Sequence, residues 1–217
     1  LASLYRATQR QVPRPEDEKT AHARAFKLTN ELLAAGQVVE INVVAGRLGL
    51  AHGPLMPAIY TLRCGSSQAE LSDMARDVFD CIAANDTASR GDICRQLGII
   101  GQARPDPVDL ALTELQHELL IDRGPSSLPD GGIFYLSKEG YPYRLLERAH
   151  PDIALVAAKL TRAAAATELI GSYLATALFA VRRKLAAMFQ LLLRPEEIEA
   201  TLAELVQCGR AERTRFG

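Results

Sequence analysis

The sequence is poor in the ingredients from which a simple active site, a disulfide scaffold or a membrane anchor is assembled. Its four cysteines, Cys64, Cys81, Cys94 and Cys208, include no Cys-x-x-Cys pair and fall mostly at apolar positions of helical patterns. They read as reduced core residues, which suggests a cytoplasmic protein. The histidines at 22, 52, 117 and 150 are scattered. His117-Glu118 begins a His-Glu-x-x-His-like string, but Ile121 stands where the second zinc ligand would be. No Gly-rich phosphate loop and no Gly-x-Ser-x-Gly elbow occurs, so neither a metal nor a cofactor is expected. Apolar runs fall short of the ~18 residues of a membrane span. The chain does not open with a charged region followed by an apolar one, so no membrane association is expected. Carboxylates are plentiful, yet sequence alone pairs no two of them in a pocket, which leaves carboxylate chemistry open.

What is present is an ordinary globular composition, 48% hydrophobic and 24% charged. At 217 residues the chain exceeds the roughly 100 to 150 of a common single domain, which points to two or three small ones. The net charge of −1 is uneven. Residues 1–140 carry 14 Lys+Arg against 18 Asp+Glu, and residues 141–217 carry 11 against 8, so the last third is basic by +3.

The middle of the chain is the most legible. Met74, Val78, Cys81 and Ile82 recur at helical spacing and predict a helix over 73–84. Ser89 with Asp92 three residues later is a capping-box start for a second helix, with Ile93 and Leu97 inward and Gly98 at its end. After Pro107, Val108, Leu112, Leu115 and Leu119 share one face of a third helix. Residues 120–123 and 133–136 then read as two strands around a Pro/Ser/Asp/Gly turn. Three helices followed by a hairpin is the winged-helix order.

The pattern recurs on both sides. VDLALTELQHELLIDR (108–123) lies over IEATLAELVQCGRAER (198–213), pairing Leu112 with Leu202, Leu115 with Leu205 and Arg123 with Arg213. Helical patterns at 163–174 and 182–191 precede it, Gly209 closes the last helix, and 210–216 would be a first wing strand. Towards the N-terminus VAGRLGL (44–50) lies over ICRQLGI (93–99), suggesting helices at 19–35, 42–48 and 54–62, with Pro57 requiring the last to begin late or kink. The expected fold is therefore mainly α with small β-wings, as tandem winged helix-turn-helix units packed together. An N-terminal arm and first helix-turn-helix unit would occupy 1–70, a central winged helix 71–140, and a linker (140–152) with a C-terminal winged helix 141–217.

A winged helix that reads DNA places its third helix in the major groove and holds phosphates with flanking Arg and Lys. Here the third helices of the middle and last units carry acids, including Asp106, Asp109, Glu114, Glu196, Glu197, Glu199 and Glu204. Bases lie elsewhere: Arg63, Arg90, Arg95, Arg104, Arg123, Lys138 and the run Arg182-Arg183-Lys184. That distribution points to double-stranded DNA held by its backbone, with steep salt dependence. It also leaves open a protein partner docked on the acidic third helices.

With these repeats laid out, the chain resembles the AlkZ-type (YcaQ-type) superfamily of tandem winged-helix proteins. The resemblance rests on LSDMARDVFDCI (71–82), ICRQLGI (93–99), ALTELQHELLIDR (111–123) and TLAELVQCGRAER (201–213). It implies a DNA-binding body and, as an alternative activity, a DNA glycosylase excising alkylated or crosslinked bases. Glycosylases of that superfamily position the attacking water with a Gln-apolar-Gln or Gln-apolar-Asp motif. The approximate counterpart is Gln9-Arg10-Gln11, which makes Gln9 and Gln11 the catalytic candidates.

Overall fold

A computed structural model describes residues 18–64, 70–100, 105–126, 141–177 and 179–214. The described chain is mainly helical with two small antiparallel sheets. Helix α1 (Glu18–Ala34) leads into a hairpin of β1 (Val38–Ile41) and β2 (Gly49–His52), then a short 3-10 turn and α2 (Met56–Cys64). Next come α3 (Asp73–Ala84), β3 (Thr87–Ser89), α4 (Arg90–Gln96), α5 (Pro107–His117), β4 (Ile121–Arg123) and β5 (Pro142–Leu145). The short α6 (Leu146–Ala149) and α7 (Pro151–Ala157) precede α8 (Arg162–Ala177), α9 (Arg182–Phe189) and α10 (Pro195–Gln207).

Local chemistry sets the middle elements. Ser72 accepts from the Ala75 N–H at the start of α3, and Ser89 with Asp92 forms a complete capping box on α4. Asp106 caps α5 with Pro107 at its first position, where the missing N–H costs no hydrogen bond. The sheet order is β3-β5-β4, so β5 lies between two strands that precede it in the chain. Ala75, Val78, Cys81, Ile82, Ile93, Val108, Leu112, Leu115, Ile121 and Leu145 form one core.

A second core joins the two ends of the described chain. Val39, Ile41, Val43, Met56, Ile59 and Leu62 pack with Ile170, Leu185, Phe189, Leu192, Ile198 and Leu205. Leu119 belongs here rather than to the α5 face predicted for it. At φ +55 it leaves the helix in the left-handed region, which swings its side chain into the other core.

Four further expectations are corrected. Residues 42–48 are not a helix but the turn of the β1–β2 hairpin, so the first helix-turn-helix loses its middle helix. Val38, Val39, Ile41, Val43 and Val44 are β-branched, which favours strand, and both faces of this segment find partners. Val39, Ile41 and Val43 enter the core, while Glu40 pairs with Arg123 and Asn42 donates to the Thr113 carbonyl. Second, residues 140–152 are not merely a linker, because they contain β5 and α6. Pro142 is tolerated there as the first residue of its strand. Third, residues 210–214 form no strand. The N–H groups of Arg210 and Ala211 both fold back onto the Leu205 carbonyl behind Gly209 at φ +72. Fourth, Cys64 and Cys208 are exposed at helix ends rather than in the core. The N-terminal arm, the expected strand at 133–136, Arg104, Lys138, Gln9 and Gln11 lie outside the described residues. Among the described residues no helix is long and apolar enough to cross a membrane, and no group of three His, Cys, Asp or Glu could hold a metal ion.

Candidate nucleic-acid interface

The residues singled out from sequence separate into cations held inside the fold and cations left on its surface. Arg123 and Glu40 are each 7% exposed and meet at 3.3 Å between β4 and β1, with the Arg123 guanidinium 4.2 Å from the Tyr141 ring centre. Burial pushes the Glu40 carboxyl up, against the pull of Arg123. Burial, with the Glu40 carboxylate second, pushes Tyr143 up to about 12. Arg90 reaches across α4 to Asp106 and to Asp109 on α5, the latter at 3.1 Å. Arg63 donates to the His117 carbonyl at 2.7 Å and pairs with Glu118. These three arginines hold elements together, and each is largely buried.

Some acids of the third helices are engaged in the same way. Asp106 caps its helix and Glu114 accepts from the Ser72 N–H and hydroxyl, each at 2.7 Å. In the last unit Arg162 donates to Glu197 at 2.6 Å and to the Leu62 and Leu192 carbonyls, both at 2.7 Å. The Arg162 hydrogen bond, helped by the Arg194 N–H, holds the Glu197 carboxyl down at about 2. Glu199 pairs with Arg182, and Glu204 accepts from the Thr167 hydroxyl at 3.0 Å. Asp106, Asp109 and Glu197 are thus held in caps and ion pairs within the fold, whereas Glu199 pairs with an exposed arginine and Glu114, Glu196 and Glu204 keep their charge at the surface.

Four of the expected bases are exposed. Arg95 is 77% exposed and leans on Asp92 of its own helix, an i,i+3 pair that solvent weakens. Arg182, Arg183 and Lys184 open α9, where Leu185 and Phe189 face the core. Helical geometry then directs Arg182 towards Glu199 on α10, Arg183 outward, and Lys184 onto the side of Met188. Among the described residues neither Arg183 nor Lys184 has an ion-pair partner.

One cation that sequence reasoning missed joins them. Arg47 sits exposed in the hairpin turn, and the turn docks on the end of α9 through the Ala45 N–H, which donates to the Met188 carbonyl at 2.6 Å. Lys184 lies one helical turn, about 5.4 Å, before Met188 on α9, so the hairpin turn and the basic run Arg182-Arg183-Lys184 belong to neighbouring elements. The sequence signal was the pair of glycines, Gly46 and Gly49, around Arg47-Leu48. A helical reading of 42–48 hid it.

Arg95 stands apart from these cations, on the middle unit, where exposed Asp73, Asp77 and Asp80 line α3. No family model, curated protein or solved structure matches the chain.

Proposed function

We propose that the protein binds duplex DNA chiefly through the phosphate backbone, as a tandem winged-helix body of the AlkZ type. The observation that carries this reading is the adjacent pair Arg183 and Lys184, exposed at the start of α9 with no ion-pair partner among the described residues, whereas Arg63, Arg90, Arg123 and Arg162 are tied into the fold. The element order α3-β3-α4-α5-β4-β5 with sheet order β3-β5-β4 is that expected of a winged helix and supports the fold half of the reading. The order α8, α9, α10 repeats its three helices. Because α5 and α10 carry acids and offer no cluster of bases, contact falls to the middle helix of the last unit and its neighbouring hairpin turn. Such contacts hold phosphates and carry little sequence information.

Fluorescence anisotropy on a labelled duplex of about 20 base pairs, between about 50 and 200 mM salt, tests this. Affinity is expected to fall steeply with salt. The double substitution Arg183→Ala/Lys184→Ala is expected to weaken binding about tenfold and to lower the salt slope by about 2. Absence of binding at low salt, or a double variant indistinguishable from the parent, overturns the reading.

A further inference from the structure

We propose that helix α7 (Pro151–Ala157) is a self-association surface, through which two copies of this chain pair antiparallel about a two-fold axis. Leu155 and Val156 fill the middle of the contact, and Asp152 of each copy meets Lys159 of the other.

The inward side of α7 is already satisfied. Ile153 and Ala157 are buried, and the Thr61 hydroxyl of α2 donates to the Ala157 carbonyl at 3.2 Å, which fixes how the helix is presented. Helical turns continue past its last residue. The Ala158 N–H donates to the Ala154 carbonyl and the Lys159 N–H to the Val156 carbonyl, both at 3.0 Å. Asp152, Leu155, Val156 and Lys159 therefore stand at i, i+3, i+4 and i+7, one outward stripe about 10 Å long.

All four side chains are exposed, Leu155 by 64% and Val156 by 44%. On the other described helices large exposed apolar residues stand singly, as Leu110 on α5 and Val206 on α10 do, and single ones are ordinary on a monomer. Here two adjoin, and charges of opposite sign bracket them. Among the described residues neither Asp152 nor Lys159 has an ion-pair partner. The acid lies at the N-terminal end of the stripe and the base at its C-terminal end. A second α7 laid antiparallel therefore brings opposite charges together at both ends, with the helix dipoles opposed. A parallel copy would set Asp152 against Asp152 and Lys159 against Lys159. A face that complements itself under a two-fold rotation closes as a dimer.

Sedimentation equilibrium of the full chain, without DNA and from about 5 to about 500 µM, tests the surface. One helix face is far smaller than the ~800 Å² per partner of a standard interface, so a weak dimer with a Kd of about 10–100 µM is expected. Leu155→Lys is expected to weaken it about tenfold or more. Asp152→Lys and Lys159→Asp are each expected to dimerise about tenfold more weakly alone, because like charges then face one another at both ends. An equimolar mixture of these two variants is expected to recover the parent's association as a heterodimer, in which every facing pair is again of opposite sign. All three side chains are exposed, so an unchanged thermal melt shows that the variants fold, and the mixture separates a lost contact from a damaged helix. A chain that stays monomeric to about 500 µM overturns the proposal. So does a dimer that Leu155→Lys leaves intact, or a mixture no more associated than its components. The DNA reading rests on α9 and stands or falls separately.

Discussion

Between Ala75 and Leu145 one core draws its buried apolar side chains from a single stretch of chain, whereas the other joins residues 39–62 to residues 146–205, with Leu119 lent from between. The first needs only neighbouring helices and a three-stranded sheet to close. The second forms only when α2 meets α8 and the hairpin turn meets α9, across more than a hundred residues of sequence. The two also differ at the surface. The self-contained region shows a stripe of acids on α3, and the composite region mixes exposed acids such as Glu196 and Glu212 with exposed cations, among them Arg47, Arg183 and Lys184. Arg47 and Arg183 come from opposite ends of the chain, so the surface proposed for DNA would form only in the completed fold.

The seam between the regions gives the largest expected effect. Arg123→Met would leave Glu40 buried without its partner, at a cost of about 3–5 kcal/mol. For a chain of this size that lowers the melting temperature by roughly 10 °C. Replacing both members, Glu40→Leu/Arg123→Met, is expected to recover most of the loss, which urea unfolding of the three variants would measure. If the double variant is as unstable as the single one, the pair is not what joins the regions.

Next, Leu205→Ala in the composite core is expected to cost about 2–5 kcal/mol. Hydrogen exchange would then speed up at Val39, Ile59 and Ile170 together, while α3 and α5 keep their protection. Uniform loss across all of these would erase the distinction between the two cores.

The smallest effect is expected in acid. The Glu197 carboxyl is held at about 2, below its ordinary 4.5, so the stability it adds is present above pH 4.5 and is lost as pH falls through about 2. Glu40 has the opposite sign: its raised value makes its contribution fall as pH rises through the shifted range. Arg162→Met is expected to remove about 1–3 kcal/mol at neutral pH and to flatten the acid limb of a stability–pH curve. An unchanged acid limb would mean that the Arg162–Glu197 pair does not tie α8 to α10.

Much of the self-contained region was legible because its signals are local. Ser89 and Asp92, Asp106 with Pro107, and the spacing of Val78, Cys81 and Ile82 each act within a turn or two of helix. The composite region was read less well for the opposite reason. The string VAGRLGL shares with ICRQLGI the pattern apolar-x-x-x-Leu-Gly-apolar, yet the residues just before it are claimed on both faces, Val39, Ile41 and Val43 by a core and Glu40 and Asn42 by a polar seam. The segment becomes a hairpin. The candidate site suffered most, since sequence counts arginines but does not show which carboxylates will neutralise them. Arg63, Arg90 and Arg123 look no different in sequence from Arg183, and Arg47 was concealed inside an expected helix.

By itself the sequence determined helix starts and stops, the apolar faces of the middle unit, and a cation surplus in the last third. Caps and 3.6-residue periodicity are short-range and need no partner element. Only the tertiary structure decided the strand at 142–145, the division into two cores, the hairpin at 38–52 and the short set of bases left facing solvent. Strand pairing, burial and ion pairing are relations between distant residues, and their energies appear only when the chain brings the partners together.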